Sequence, residues 1–398
     1  MHSSISSFER APRGEPVRPG FVRLTASDRP GVAQPVPERD IPLRPWRSIW
    51  VGAAILSLLL IGAWEWHWRA YGVHPGYRNS NGEWALQRRR IDHGEGGKTV
   101  LLGSSRVLFD VQLPVWQAIT GKRPIQLAME GTTPLPMLED LAADPNFTGR
   151  LLVGVAPDIF FSGFAYRGDV LSYARRQTPS QRIGNWLSMH FIEPYLAFDD
   201  PDFALDTVIK RQPWPVRAGM RPHIAVRKLM ESEADRNSHM WSKLVTDADY
   251  RALARRIWAQ EFTGPPPPQM DTPAKAQQVI DEQIARAAAA VATLRARGVQ
   301  VLFLRAPSIG PYYAFEEKVM PRARTWDVLL RRTHAPGIHF KDYPQLQGYD
   351  QPEWSHLTAP DAKRFTAALV PIVESYFHGQ PAQEDLQAGV VPGRERGH

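Results

Sequence analysis

The sequence predicts an α/β fold of three layers, in which a parallel sheet is flanked by helices. Along residues 98–377, short apolar segments that end in Gly, Ser or Pro alternate with segments of helical period. This alternation is typical of doubly wound α/β domains. In addition, residues 299–307 (VQVLFLRAP) have no polar face after their start, as expected for a strand buried on both sides in a parallel sheet.

The individual elements follow from local signals. Four further strands are predicted from short apolar runs bounded by turn residues: 98–105, 123–130, 150–157 and 338–343. Helices are predicted for 113–120, which Gly121 stops, for 135–143 and for 362–377. The clearest helix starts after Thr272 as N-cap with Pro273 as first residue, and it ends at Gly298. Its apolar stripe consists of Ile280, Ile284, Val291 and Leu294.

Residues 163–272 interrupt this alternation. They are rich in Trp, Pro and Arg, and we interpret them as a mostly helical insertion into the α/β domain. The insertion contains tryptophans that could form a carbohydrate-stacking surface or simply belong to a core: Trp186, Trp214, Trp241 and Trp258.

Composition excludes several classes of function. The chain has 398 residues and no cysteine, so disulfides, thiolate metal sites and a cysteine nucleophile are excluded. The net charge is +7, but no recognition motif accompanies it and no nucleic-acid partner is expected. Metal hydrolysis through His74, His93 or His334 has no support from ligand spacing. We therefore expect no metal and no other cofactor.

One transmembrane helix is predicted at residues 46–66. No charged residue occurs from Ile49 to Trp64, so the apolar stretch approaches the length needed to cross the hydrocarbon core. It is flanked by aromatic residues suited to the membrane interface, namely Trp46, Trp50, Trp64, Trp66 and Trp68. A core helix would not need tryptophans at both ends. A cleaved signal peptide would lie at the extreme N-terminus and be followed by a small-residue cleavage site.

The flanking segments complete the predicted organisation. More arginines precede the span closely than follow it, which places residues 1–45 in the cytoplasm as a disordered tail and the large C-terminal part outside. Residues 67–97 are interpreted as a polar connector, and 98–377 as the α/β domain. A second disordered tail is predicted for 378–398.

Two motifs could carry chemistry. Ser105, in GSSR at the end of the first predicted strand, would expose its hydroxyl at the sheet edge, where it could act as a nucleophile if a base were near. The alternative is a helix N-cap. In EWSHLT, Glu353 lies three residues before His356, close enough to orient the imidazole. Thr358 and Asp361 are expected to form a capping box that starts the final helix. The alternative is a chance Glu–His pair in a surface loop.

The order of these pieces resembles the SGNH (GDSL-type) hydrolase superfamily, and in particular its membrane-anchored, envelope-facing bacterial members. The resemblance covers about 98–160 and 275–375 and leaves the insertion unexplained. It implies an SGNH-hydrolase-like fold with Ser105 as the nucleophile, His356 as the base and Glu353 in place of the commoner Asp. It also implies that Gly131, in QLAMEG, supplies an oxyanion-hole amide.

One position departs from the family pattern. The third block usually carries an asparagine that completes the oxyanion hole, whereas here VGVAPDIF places Asp158. A carboxylate there would repel a developing oxyanion unless it is protonated or turned away. Either another donor substitutes, with Arg106 as a candidate, or activity is reduced or absent.

The resemblance implies a membrane-anchored serine esterase or O-acyltransferase that acts on an acylated envelope or surface glycan, through an acyl-serine intermediate. Its expected partners are this ester or glycan substrate, the lipid bilayer and a membrane-bound acyltransferase. The expected location is the periplasmic side of the bacterial inner membrane. The alternative is a catalytically inactive scaffold or partner-binding protein of the cell envelope.

Overall fold

A computed structural model of the chain describes residues 44–212, 215 and 228–379. The disordered tails predicted for 1–45 and 378–398 therefore lie almost entirely outside the described residues. The strands are β1 (Thr99–Leu102), β2 (Ile125–Gln126), β3 (Arg150–Gly154), β4 (Met230–Ser232), β5 (Ser238–Met240), β6 (Gln300–Arg305) and β7 (Gly337–His339).

The helices are α1 (Trp46–Tyr71), α2 (Asn81–Arg90), α3 (Ser105–Asp110), α4 (Leu113–Thr120), α5 (Leu135–Ala143), α6 (Pro157–Phe160), α7 (Val170–Arg176), α8 (Pro179–Phe191), α9 (Leu205–Lys210), α10 (Lys243–Thr246), α11 (Ala248–Thr263), α12 (Pro273–Ala296), α13 (Gly310–Val319), α14 (Trp326–Thr333) and α15 (Ala359–His378). The four helices predicted for the α/β part of the chain, here α4, α5, α12 and α15, have bounds close to the predicted ones. A π-helical segment, Ile91–Glu95, follows α2.

Five strands form one parallel sheet in the order β2-β1-β3-β6-β7. The predicted α/β class, a parallel sheet flanked by helices, is confirmed. The chain moves outward in one direction from β1 to β2 and in the other from β1 through β3, β6 and β7. Ligand sites in such sheets lie at the carboxyl ends of the strands beside this reversal, which here is the β1–β3 edge.

Alternate residues of the strands face opposite layers. Val100, Leu151 and Val301 lie in a core with Trp84, Leu138 and residues of α12 and α14. Leu101, Leu152 and Leu302 lie in a second core with residues of α3, α4 and α15. Because both faces are covered, the strands can be apolar throughout, as the sequence of β6 indicated.

Two glycines let α3 lie directly against the sheet. Gly103 has φ +154°, and a Cβ there would lie 2.6 Å from Cγ2 of Val107. A Cβ on Gly154, in the neighbouring strand, would lie 2.1 Å from the same methyl group. Side chains at these positions would push α3 outward, and Ser105 is its first residue.

The segment predicted as a polar connector is partly built into the core. Ser80 and Glu83 form a capping box that starts α2, and Trp84 is fully buried, with Nε1 donating to the Leu127 carbonyl over 2.9 Å. The prediction followed the run of arginines after Trp84. One of them, Arg88, is paired with Asp140 and Asp144 at 2.8 and 2.6 Å, so this face of α2 packs against the domain.

In its described residues, the insertion consists mainly of helices and also contains the antiparallel pair β4–β5. It has a core of its own that includes Phe203, Met240 and Trp241 together with Trp68 from the end of α1. Each of the two strands has three residues, too few to give a recognisable period in the sequence.

Helix α1 is the helix in the described residues that is long and apolar enough to cross a membrane. Its most apolar window has a mean hydropathy of 1.7 and is not buried. The contacts of the chain divide it between Leu60 and Ile61, so the last turns of α1 belong to the unit that contains the sheet.

We predict that Gly154→Ala destabilises the fold by about 1–3 kcal/mol, because the new methyl group overpacks the contact with Val107. Urea unfolding of the detergent-solubilised chain would measure the change. Gly184→Ala, in exposed α8 with open space around it, is the matched control and should be neutral or stabilising. In a Val107→Ala background the added cost of Gly154→Ala should shrink. An unchanged cost there would show that Val107 is not the obstacle.

Candidate active site

Ser105 lies at the carboxyl end of β1, in the turn that leads into α3. Ser104 occupies the N-cap position, and its side chain accepts no hydrogen bond from the helix. Ser105 is the first helical residue, so its hydroxyl is not used as a cap. Its neighbours on both sides are buried whereas Ser105 is half-buried. The turn therefore presents this hydroxyl at the sheet edge.

The structure brings Ser105 and His356 together, although they are 251 residues apart in the chain. Ser105 Oγ lies 2.7 Å from His356 Nε2, and His356 Nδ1 lies 2.9 Å from Oε1 of Glu353. Only 2% of His356 and none of Glu353 is exposed. The three groups form one line of hydrogen bonds from a buried carboxylate to a hydroxyl at the surface.

Glu353 determines the direction of these hydrogen bonds. Burial by itself would raise the pKa of its carboxyl, but the charge and hydrogen bonds of His356 and the bond from Trp258 hold that pKa below its ordinary value. An ionised carboxylate only accepts, so His356 Nδ1 donates to it. In the neutral imidazole Nε2 is then the acceptor, and the Ser105 hydroxyl donates to it.

The loop that carries Glu353 and His356 is fixed from several directions. The Leu357 amide donates to Oδ1 of Asp110, at the end of α3, over 3.0 Å. The Gln351 side chain donates to the Pro307 carbonyl after β6, over 3.0 Å. Trp354, between the two site residues, has φ +75°, a conformation that costs energy and persists only where surrounding contacts impose it.

Half of the predicted capping box at the end of this loop is present. Thr358 accepts from the Asp361 amide over 3.3 Å, as expected for an N-cap. Oδ2 of Asp361 instead accepts from the Asp350 amide over 2.7 Å. The carboxylate thus ties the start of the loop to the start of α15.

Two residues of the insertion donate hydrogen bonds to the loop, a role that the sequence did not predict for either of them. Trp258 Nε1 donates to Oε2 of Glu353 over 2.5 Å, and Arg255 Nε donates to the Pro352 carbonyl over 2.7 Å. Both lie on α11, about a hundred residues before the loop. Their spacing of three on a helix places them on one face, but the sequence gives no sign of what that face contacts.

The four tryptophans considered for carbohydrate stacking have different positions. Trp241 is fully buried in the core of the insertion, whereas Trp186 is 52% exposed. Trp258 is half-buried next to Glu353 and His356. Trp214 lies outside the described residues.

The Arg106 side chain is buried and hydrogen-bonded within the protein. It is 3% exposed, with Nη1 donating to Oε1 of Glu316 over 2.7 Å and Nε donating to Ser355 Oγ over 3.3 Å. Glu316 also accepts from Arg305 and Ser308, at 2.7 and 2.6 Å. Although burial opposes ionisation, the two arginines hold the pKa of Glu316 below its ordinary value. The Arg106 guanidinium, suggested as a substitute oxyanion donor, is thus committed to this buried cluster.

Asp158 lies after β3, in the first turn of α6. Its Oδ2 accepts from the Tyr312 hydroxyl over 2.8 Å, while Oδ1 is buried and has no hydrogen-bond partner among the described residues. Burial and the charge of Glu316 raise the pKa of Asp158 to about 6, against the attraction of Arg106. Burial also raises the pKa of Tyr312 well above its ordinary value, which keeps its hydroxyl as the donor.

Gly131 lies near the carboxyl end of β2. The Met129 amide donates to the Gly103 carbonyl over 2.9 Å. The segment that follows β2 therefore runs beside the turn that precedes Ser105. Gly131 has φ +54° and its carbonyl accepts from the Tyr166 amide over 2.9 Å. Its contacts are therefore with the start of the insertion.

No group of three or more acidic or histidine side chains in the described part of the chain could hold a metal ion. No protein-family model matches the sequence, and no curated protein matches it either. The chemistry of the site therefore has to be argued from its geometry.

We predict that Glu316→Gln destabilises the protein by about 3–5 kcal/mol, because it leaves the Arg106 and Arg305 charges buried with reduced compensation. Equilibrium urea unfolding would measure it. Asp271→Asn is the control, since it breaks an exposed pair with Lys275 at 2.8 Å and should change stability by less than about 1 kcal/mol. If both substitutions lower the free energy of unfolding equally little, the cluster does not hold the site together.

Proposed function

We propose that this protein is a serine ester hydrolase or O-acyltransferase of the SGNH type, acting through an acyl-serine intermediate. The observation that carries the proposal is the continuous set of hydrogen bonds from Glu353 through His356 to Ser105, at 2.9 and 2.7 Å. A serine hydroxyl is a weak nucleophile unless a base takes its proton. Here the base is adjacent to the hydroxyl and is held by a buried carboxylate.

In the first step, Ser105 Oγ attacks the carbonyl carbon of an ester while His356 Nε2 takes the hydroxyl proton. The carbonyl oxygen gains the negative charge. When the intermediate collapses, the bond to the leaving oxygen breaks and His356 returns its proton to that oxygen. Glu353 stays ionised and stabilises the imidazolium. The products are an alcohol and an acyl-serine.

In the second step, water or a sugar hydroxyl attacks the acyl-serine. His356 takes the proton of the attacking oxygen and then gives it to Ser105 Oγ as the acyl bond breaks. Water as acceptor gives a carboxylic acid and hence an esterase. A sugar hydroxyl gives a new ester and hence an O-acyltransferase. Both use the same three residues.

The oxyanion needs hydrogen-bond donors. We assign this role to the backbone amides of Ser105 and Gly131 and to Asp158 in its protonated form. A carboxylic acid is a donor, whereas a carboxylate would repel the oxyanion. Oδ1 of Asp158 has no partner among the described residues and is the oxygen available to carry the proton.

The substrate class and location come from the resemblance and from α1. We propose an acylated envelope or surface glycan as substrate, with α1 anchoring the protein in the bacterial inner membrane. The arginines that precede the span favour a cytoplasmic N-terminus and a periplasmic catalytic domain. A membrane-bound acyltransferase would be the partner that supplies acyl groups.

A second candidate function is a non-catalytic scaffold of the cell envelope. The observation that favours it is Asp158 at a position where the family carries asparagine, because an ionised carboxylate there would oppose the chemistry.

We predict that a fluorophosphonate probe labels the folded protein and that Ser105→Ala abolishes the labelling, since the probe reacts with an activated serine. His356→Ala should slow labelling by about a hundredfold or more. Fluorescence after gel electrophoresis would measure both. Ser104→Ala is the matched control, because Ser104 is the adjacent, buried serine without a capping bond, and it should label normally. No labelling of the folded wild-type protein would favour the scaffold.

We predict that Asp158→Asn increases the rate of p-nitrophenyl acetate turnover at high pH and leaves it nearly unchanged at low pH. Asn donates at every pH, whereas Asp158 loses its proton as the pH rises through about 6. The ratio of variant to wild-type rates should be near one below that pH and reach about tenfold or more well above it. Taking the ratio removes every other pH dependence that the two proteins share.

Tyr312→Phe provides the second arm of this experiment. The Tyr312 hydroxyl stabilises the ionised form of Asp158 and thereby lowers its pKa. Its removal should raise the pKa of Asp158. In a Tyr312→Phe background, the pH above which Asp158→Asn increases the rate should therefore move to higher values. A ratio that stays constant with pH would contradict the role of Asp158 as a proton-dependent donor.

A further inference from the structure

Helix α8 has its apolar face turned toward solvent. Ile183, Trp186, Leu187 and Phe191 have the spacing of one helix face and are 60%, 52%, 44% and 62% exposed. In a helix of a globular domain such a stripe normally faces the core. The side of α8 that faces the protein contains the half-buried Asn185 and Ser188 and the buried Met189, so most of the large apolar side chains of the helix are on the solvent side.

The apolar surface continues past the end of the helix. Ile192 and Tyr195 are 38% and 62% exposed, and the rings of Trp186 and Phe191 contact each other edge to face with centroids 5.7 Å apart. We call Ile183, Trp186, Leu187, Phe191, Ile192 and Tyr195 the α8 surface. A patch of this kind on a folded domain marks an interaction site.

The chain just after α8 is bonded to the last turns of α1. Arg69 Nη2 donates to the Tyr195 carbonyl over 2.9 Å. The amides of Ala197 and Phe198 donate to the two carboxylate oxygens of Glu65, over 2.9 and 3.0 Å. Trp66, on the same part of α1, is 72% exposed. The α8 surface is therefore held next to the end of the helix that is apolar enough to cross a membrane.

The charges around α8 suit an anionic lipid surface. The helix contains no acidic residue, and Arg175, Arg176 and Arg182 at and near its N-terminus are exposed. A helix with large apolar side chains on one face and flanking arginines binds at the interface of a bilayer, with electrostatic attraction to anionic headgroups.

We propose that the α8 surface lies in the headgroup region of the same membrane that α1 crosses, so that the domain is docked on the bilayer as well as tethered to it. Its partner is the lipid interface. The rival occupants are a second copy of the chain or another protein. Lipid is favoured because Arg69 and Glu65 hold Tyr195 and the residues after it against the last turns of α1, and because the exposed charges at the N-terminal end of α8 are basic. The proposal rests on the membrane span and is independent of the catalytic proposal.

The absence of cysteine makes a direct test possible with single-cysteine variants of the full chain. Leu187→Cys and Phe191→Cys report on the α8 surface, and Leu58→Cys, 69% exposed on α1, reports on the span. Lys363→Cys is the matched control, because it is exposed on α15, which covers the other face of the sheet. Each variant is spin-labelled and reconstituted in vesicles of phosphatidylcholine and phosphatidylglycerol. Its accessibility to oxygen and to a nickel chelate is then measured.

We expect labels at 58, 187 and 191 to be several-fold more accessible to oxygen than to the chelate, relative to the label at 363. Chelate-accessible labels at 187 and 191, with the label at 58 in lipid, would overturn the docking proposal and leave the span intact. A label at 58 in water would remove the span and the proposal with it. Dipolar broadening between labels at 191, with little access for either reagent, would identify a second copy as the occupant and would also overturn the proposal.

Discussion

The fully buried carboxylate of Glu353 is the constraint on which the candidate site depends. A charge without solvent must be compensated by hydrogen bonds, and Glu353 obtains them from the His356 amide, the His356 ring and the Trp258 indole. One of these donors comes from the insertion. The insertion is therefore part of the site's construction, because α11 supplies a bond that keeps the carboxylate ionised and the imidazole oriented.

A second buried charge organises the other side of Ser105. Glu316 on α13 joins Arg106 on α3 to Arg305 on β6. The residue after the candidate nucleophile is thereby fixed to the last residue of β6. The charges of Glu316 and Arg106 also act on Asp158 and shift its pKa. The protonation of Asp158 and the position of α3 thus depend on the same buried ion pairs.

The two proposed roles of the molecule lie in different parts of it. The catalytic proposal depends on the carboxyl ends of the parallel strands, beside the reversal of strand order, where ligand sites of such sheets lie. The docking proposal depends on α8 and the end of α1, which are joined by Glu65 and Arg69. A domain held both by a tether and by a surface would have a limited set of orientations toward a membrane, which suits a substrate presented near that membrane.

The sequence by itself determined the five parallel strands and the helices α4, α5, α12 and α15, because apolar periods, N-caps and helix-ending glycines are local signals. It also predicted Ser105, Glu353 and His356 as candidate site residues, from two short motifs whose order resembles that of a known family. The tertiary structure decided what these residues contact. The burial of α2, the bond from Trp258 to Glu353, the commitment of Arg106 to Glu316 and the outward apolar face of α8 all arise from segments distant in the chain. Local patterns carry no information on which segments will meet, because that is decided by the packing of the whole domain.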